Sequence, residues 1–106
     1  MKRNVGEVAA GLGGPWQPEV VAEANGFHLK VVRLEGEFPW HRHEEEDELF
    51  YCVEGRFRIE QIGAGSVTLS PGDVFVVPAG RRHRPVSEEP SVAMLFERGE
   101  TRQYGD

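Results

Sequence analysis

Cysteine is nearly absent from this chain of 106 residues, since Cys52 is the only one, and an internal disulfide framework is therefore excluded. Basic side chains are too few to balance the acidic ones. The formal net charge of -6 argues against nucleic acid or an anionic membrane as the main partner. No apolar run approaches the ~18 residues of a membrane span. The first residues also lack the apolar stretch of ~7–15 residues that marks a secretory signal, so we expect a cytoplasmic protein.

The length suits one domain that covers residues 1–106. The 13 glycines and 7 prolines lie between short apolar runs, a pattern typical of many short strands. We expect about eight or nine strands in an all-β sandwich or barrel. One short helix is predicted in NVGEVAAGL, because Asn4 can cap it, Glu7 follows at capping-box spacing, and Gly11 and Gly13 can end it.

Alternation predicts which side chains face inward. In RFRIEQIGAG, Phe57 and Ile59 point one way and the charged residues point the other. We expect EFPWHRH, residues 37–43, to continue as a strand, with Pro39 at an edge or bulge. Parity then places Glu37, Pro39, His41 and His43 toward the interior and Phe38 and Trp40 away from it. Further on, SPGD is expected to form a type II turn, and SEEP a loop before the last strand, SVAMLFE.

Three of the four histidines fall in two segments that could form one site. His41 and His43 are one residue apart, which on a strand places both imidazoles on one face, about 6–7 Å apart. A third ligand must come from elsewhere. Glu48 is the best candidate because it opens an apolar strand and shares a face with Phe50 and Cys52, and Asp47 is the alternative if the register slips by one. His83 follows the strand and turn of GDVFVVPAG.

These two segments resemble the two motifs of the cupin family. The first motif is matched by Gly36, His41, His43, Glu48 and Gly55, and the second by Gly72, Pro78, Gly80 and His83. The sequence departs from the family at Gly36, one residue closer to His41 than is common, and at Ser87, where the motif has Asn. The resemblance covers about residues 25–97 and looks like the small single-domain bacterial cupins. It implies a double-stranded β-helix, or jelly-roll barrel, that binds one divalent metal through His41, His43, Glu48 and His83.

Three imidazoles and one carboxylate suit iron, manganese, nickel, cobalt or zinc as a divalent ion. The alternative is a metal-free pocket of the same shape. We expect a metal-dependent enzyme, similar to a dioxygenase or an isomerase, that acts on a small oxygenated molecule. The alternative function is a non-catalytic barrel that binds or senses a small molecule, and a storage role ranks last.

Other polar residues are given more ordinary roles. Residues 44–47 are expected to form a solvated loop, His28 to be exposed, and Cys52 to be a small core residue. Arg81 and Arg82 flank His83 and are either solvated or bind an anionic ligand.

The strand parity also leaves an apolar outer surface that includes Phe38, Trp40, Leu49 and Tyr51. The N-terminal segment or a second subunit must cover it. We therefore predict a homodimer with Trp40 near the interface.

Overall fold

The computed structural model describes residues 1–106 as one short helix and seven strands. The helix is Val5–Ala10 (α1). The strands are Glu19–Ala24 (β1), Phe27–Glu37 (β2), Glu48–Glu54 (β3), Phe57–Gln61 (β4), Ala64–Leu69 (β5), Val74–Val77 (β6) and His83–Arg98 (β7). All strand pairs are antiparallel. The predicted all-β class with an N-terminal helix is confirmed. No helix is long and apolar enough to cross a membrane.

The long strand β7 organises the barrel because it pairs with three other strands. The order through the main sheet is β1-β2-β7-β3-β6, and the β4–β5 hairpin joins through β4. The first part of β7, His83 to Val86, pairs with β4. Its second part, Val92 to Phe96, pairs with β3. Since the two parts have different partners on one side, the sheet curls over itself into a jelly-roll barrel.

The prediction of a loop at SEEP and of eight or nine strands was wrong. β2 pairs with β7 on both sides of this segment, with Gly36 opposite Ser87 and Leu34 opposite Ser91. The three residues 88–90 therefore bulge out opposite Glu35 while the strand keeps its direction. The buried Ser87 hydroxyl closes the bulge by hydrogen bonds to the Ser91 hydroxyl, at 2.7 Å, and to the Glu89 carbonyl. Ser87 thus has a structural role of its own where the motif has Asn.

The barrel interior is filled by alternate residues of the strands. Phe50 and Cys52 of β3 are buried, whereas Leu49 and Tyr51, which alternate with them, are only half-buried, as predicted. The inward residues form one core cluster: Val32, Leu34, Phe50, Cys52, Phe57, Ile59, Leu69, Val77 and Ala93. The assignment of Cys52 as a core residue is confirmed, and burial raises the pKa of its thiol.

The helix α1 covers part of the outer sheet face. The Asn4 side chain accepts a hydrogen bond from the Glu7 backbone N–H at 3.0 Å, and Gly11 is the C-cap, so the predicted roles of Asn4 and Gly11 are confirmed. The helix packs against a second, smaller core cluster of Val21, Val31 and Val92.

The segment 37–43 is not a continuous strand, which corrects the predicted parity. β2 ends at Glu37, and beyond it only an isolated bridge joins His41 to His83. Pro39 has no N–H to donate to a ladder. As a result Phe38 is buried inside the barrel, 5.2 Å from the His41 ring, while Glu37 and Pro39, expected inside, are exposed. The Trp40 ring lies under the Arg84 guanidinium at 4.8 Å.

Candidate metal centre

Four side chains from three parts of the chain meet inside the barrel. His41 and His43 come from the segment between β2 and β3, Glu48 opens β3, and His83 opens β7. All four are buried, and one ligand atom from each lies within 4.8 Å of all the others. For an ion with bonds of about 2.1 Å, octahedral geometry needs ligand atoms about 3–4 Å apart. The four residues fit a metal ion, and Asp47 lies outside the group.

Backbone hydrogen bonds position the histidine-bearing segments. His41 and His83 exchange both backbone N–H···O bonds, at 3.1 and 2.9 Å. The turn at residues 78–80 is joined to the first segment by the Gly80 N–H, which donates to the His43 carbonyl at 2.7 Å. Asp47 contributes here, because its carboxylate accepts from the Ala79 N–H at 2.8 Å. The acidic loop therefore supports the site through Asp47 without adding a ligand to it.

The hydrogen bonds of the rings select the tautomers that a metal needs. His41 Nδ1 lies 2.9 Å from the Pro39 carbonyl, and His83 Nδ1 lies 2.9 Å from the Arg81 carbonyl. A carbonyl oxygen only accepts, so both Nδ1 atoms carry the proton when these rings are neutral. Each Nε2 then presents a lone pair toward the cluster. This orientation of metal-binding histidines by backbone carbonyls is widespread.

His43 has no such partner. Both of its ring nitrogens are buried without a hydrogen bond. Its Nε2 lies 3.4 Å from Glu48 Oε1, beyond the usual range of N–H···O hydrogen bonds. Glu48 Oε1 also lies 3.2 Å from His83 Nε2. A buried polar atom without a partner is rare and costly, and a bound cation would satisfy it.

The electrostatics of the cluster favour the ligand forms of His41 and Glu48, whereas the raised pKa of His43 favours its protonated form. Burial lowers the pKa of His41 to about 4, which keeps this ring neutral near neutral pH. Burial also acts to lower the pKa of His43, but the Glu48 carboxylate outweighs it and leaves that pKa raised. For Glu48, burial acts to raise the pKa, yet the neighbouring histidines hold it well below its usual range. Glu48 is therefore an anion at the centre of the cluster.

The cluster forms one wall of a narrow cavity of about 40 Å³. His41 and Glu48 face the cavity. The remaining walls are mainly apolar and aromatic, and the lining includes Trp16, Pro18, Val32, Leu34, Phe38, Phe50, Pro85, Leu95 and Gln103. A mainly apolar lining with a few polar groups is typical of sites that bind small molecules.

A second polar group lines the same cavity and was not found by sequence reasoning. Lys30 on β2 donates to Glu97 Oε1 on β7 at 2.7 Å. Glu97 Oε2 is buried without a donor, and the Glu97 carboxyl lies against that of Glu48. Burial first, and then Glu48, raise the pKa of Glu97 to about 8. A lone Lys in the apolar strand FHLKVVRL was the available signal, because Lys30 shares parity with the inward-facing Val32 and Leu34.

The remaining polar residues singled out in the sequence lie outside the metal cluster. Neither Arg81 nor Arg82 lines the cavity; Arg81 is half-buried and donates to Gln61 at 3.1 Å, and Arg82 is exposed. His28 is half-buried, not exposed as predicted, and lies 3.4 Å from a Glu23 carboxylate oxygen.

Comparisons with known proteins agree with this architecture. The family described as "Cupin domain" matches residues 30–97. An uncharacterised protein of Bacillus subtilis (strain 168), YdbB, is 30% identical over 77 residues, which are 73% of this chain and 68% of that protein. A cupin-2 domain protein of Shewanella frigidimarina NCIMB 400 has a TM-score of 0.86 at 34% identity, covering 91% of this chain and 93% of that one.

An enzyme is also among the similar structures. Hydroquinone 1,2-dioxygenase PnpCD, solved with Cd²⁺ and 4-hydroxybenzonitrile, has a TM-score of 0.78 at 25% identity. The similarity covers 90% of this chain and 71% of that chain.

Proposed function

This chain belongs to the cupin family, and on that premise we propose that it is a metal-dependent enzyme, similar to a dioxygenase or an isomerase, acting on a small oxygenated molecule. The observation that carries the proposal is His43, buried with two unpartnered ring nitrogens beside the ligand atoms of three other residues. Similarity to a dioxygenase solved with a divalent metal and a phenolic nitrile supports it.

In this proposal His41, His43, Glu48 and His83 hold one divalent ion of iron, manganese, nickel, cobalt or zinc. Such an ion supplies Lewis-acid polarisation of a substrate oxygen and a template for its orientation. With four protein ligands, such an ion would still be able to bind a substrate oxygen or a second small molecule. The carbonyls of Pro39 and Arg81 keep two of the imidazoles in the required tautomer.

The cavity walls supply the rest of what such a reaction needs. Phe38 and Phe50 line the space beside His41 and Glu48, exclude water, and offer flat surfaces against which a planar substrate can pack. A drier site strengthens every interaction with charge that develops on the substrate.

The decisive experiment is elemental analysis of the purified protein and of a variant with both His41→Ala and His43→Ala. We expect about one equivalent of transition metal in the wild type and almost none in the variant, because two of four ligands are removed. The paired control is His28→Ala, which lies outside the cluster and should keep its metal. Full metal retention in the double variant would overturn the metal assignment.

Catalysis and simple binding are separated by a second measurement. The iron-loaded protein is mixed with hydroquinone in air, and oxygen uptake and product are followed. Turnover supports an oxygenase. Reversible binding of small oxygenated molecules without product, for hydroquinone and for a panel of sugars, would instead favour the non-catalytic barrel.

A further inference from the structure

The buried pair of Lys30 and Glu97 lies in the cavity wall, where burial of polar side chains costs desolvation free energy. The Lys30 side chain is 13% exposed and that of Glu97 is 2% exposed. A lysine at such depth adds little stability, because the desolvation of its charge offsets its attraction to a partner, and apolar residues of similar volume often serve as well. Packing alone therefore does not account for a lysine at this position of β2.

The geometry leaves Lys30 with unused hydrogen-bond donors. An ammonium group has three N–H donors, and Lys30 uses one of them, on Glu97 Oε1. Glu97 Oε2 accepts no hydrogen bond although it is buried. Both residues line the cavity together with His41 and Glu48. Lys30 is the only Lys or Arg among the lining residues.

The charge balance of the cavity also favours a negatively charged ligand, and this step rests on the proposed function. With a divalent ion held by the four proposed ligands, the cation and Lys30 outweigh Glu48 and Glu97 whether or not Glu97 is ionised. The cavity then has a net positive charge inside largely apolar walls. A ligand with one negative charge would reduce that imbalance where the dielectric is low and the interaction strong.

We propose that Lys30 is a ligand-binding residue that takes an ionised oxygen, a carboxylate or an enolate, of the small molecule that occupies the cavity. Glu97 is the positioning residue that holds the ammonium group against the cavity wall. The ionised oxygen accepts the N–H donors that Glu97 leaves free, and the apolar part of the ligand packs between the aromatic side chains.

The test compares two probes of nearly equal shape, benzoate and the neutral benzamide. Trp16 lines the cavity, and Trp40 is the only other tryptophan, so a Trp40→Phe background makes fluorescence report on the cavity. Binding is measured with the protein loaded with redox-inert Zn²⁺ and again with metal stripped. We expect benzoate to bind at least about tenfold more tightly than benzamide, since hydrogen bonds to charged groups are the stronger ones.

Lys30→Met should remove that preference, because benzoate affinity should fall by much more than benzamide affinity. The chain has one other lysine, Lys2, which is exposed, and Lys2→Met is the matched control that keeps the preference. If Lys30→Met folds poorly because Glu97 is left unpaired, the double variant with Glu97→Gln replaces it.

These outcomes test the role of Lys30 in anion binding independently of the metal assignment. A preference for benzoate that depends on Lys30 in the stripped protein supports the anion site even if the metal proposal fails. Equal binding of the two probes by the wild type overturns the proposal. So does loss of stoichiometric Zn²⁺ in the Lys30 variants, which would assign the pair to support of the metal ligands.

Discussion

At the residue scale, His43 and Glu48 show how a cluster can be organised for a cation. His43 is 2% exposed with no hydrogen bond to either ring nitrogen, and an unmade hydrogen bond at a buried group costs about 1–3 kcal/mol. Glu48 is 4% exposed and lies between two imidazoles. Neither arrangement is explained by packing alone, and metal ligation would offset the cost of both.

The carboxylate ligand can be tested against its sequence neighbour. Glu48→Gln keeps the shape of the side chain but removes its negative charge, so we expect Zn²⁺ affinity to fall by at least tenfold. Even the loss of a residue that only hydrogen-bonds to a metal ligand typically lowers metal affinity by about 10–100-fold. Affinity is measured by competition with a chromogenic chelator.

Asp47→Asn is the matched control for that change. Its remaining side-chain oxygen can still accept from the Ala79 N–H, so the turn at residues 78–80 should persist and Zn²⁺ affinity should change little. A larger loss for Asp47→Asn than for Glu48→Gln would show that the carboxylate has been assigned to the wrong residue.

At the element scale, regular strands could be predicted from the sequence and interruptions could not. Alternation in β3 and β4 gave the correct inward residues, because a regular strand has a strict period of two. The same rule failed at Phe38, where β2 had already ended and parity no longer applied. The loop prediction at SEEP failed for another reason, since its polar residues form a bulge within β7 and β2 pairs with β7 on both sides of it.

The candidate site likewise contains residues that could be predicted from the sequence and residues that could not. His41, His43, Glu48 and His83 could be predicted because their spacing and residue types are informative within short segments. Lys30 and Glu97 are 67 positions apart, and only the register between β2 and β7 brings them together. Nothing in the local pattern of either strand specifies that register, so this part of the cavity required the structure.

The turn after β3 offers a test of backbone geometry at one element boundary. Gly55 and Gly63 both have positive φ, at 77° and 83°. A Cβ at Gly55 would come within 2.9 Å of the Ser91 side chain, whereas one at Gly63 would meet nothing within 4 Å.

Both alanine variants incur the cost of a left-handed conformation, about 1–2 kcal/mol. We expect Gly55→Ala to lower the free energy of unfolding by at least about 1 kcal/mol more than Gly63→Ala, because overpacking is added. Urea unfolding followed by circular dichroism measures the difference. Equal losses would mean that β7 yields to the added methyl group without cost.

At the scale of the whole molecule, the outer sheet face is only partly covered. The helix α1 packs over Val21, Val31 and Val92, at one end of that face. Beyond it lies an outer patch of Phe27, Val74, Val76 and Phe96, with exposures between 37% and 55%. These side chains form a continuous row, since Leu49 pairs with both Val76 and Phe96, and the Phe96 ring stacks on Phe27 at 5.3 Å. An apolar surface of this kind favours association.

The predicted homodimer can now be tested against two alternative faces. Burial of a large apolar side chain is worth roughly 1.5–3 kcal/mol, so the outer patch could hold two subunits together, and a two-fold axis is the commonest way to close such a patch. Multi-angle light scattering at low micromolar concentration should give about twice the chain mass of 11.9 kDa.

Val76→Glu should shift that mass to the monomer if the outer patch is the interface, because the charge cannot be buried without a partner. Trp40→Ser should do so instead if the interface lies at Trp40, as the sequence predicted. A wild-type monomer under these conditions would contradict both alternatives.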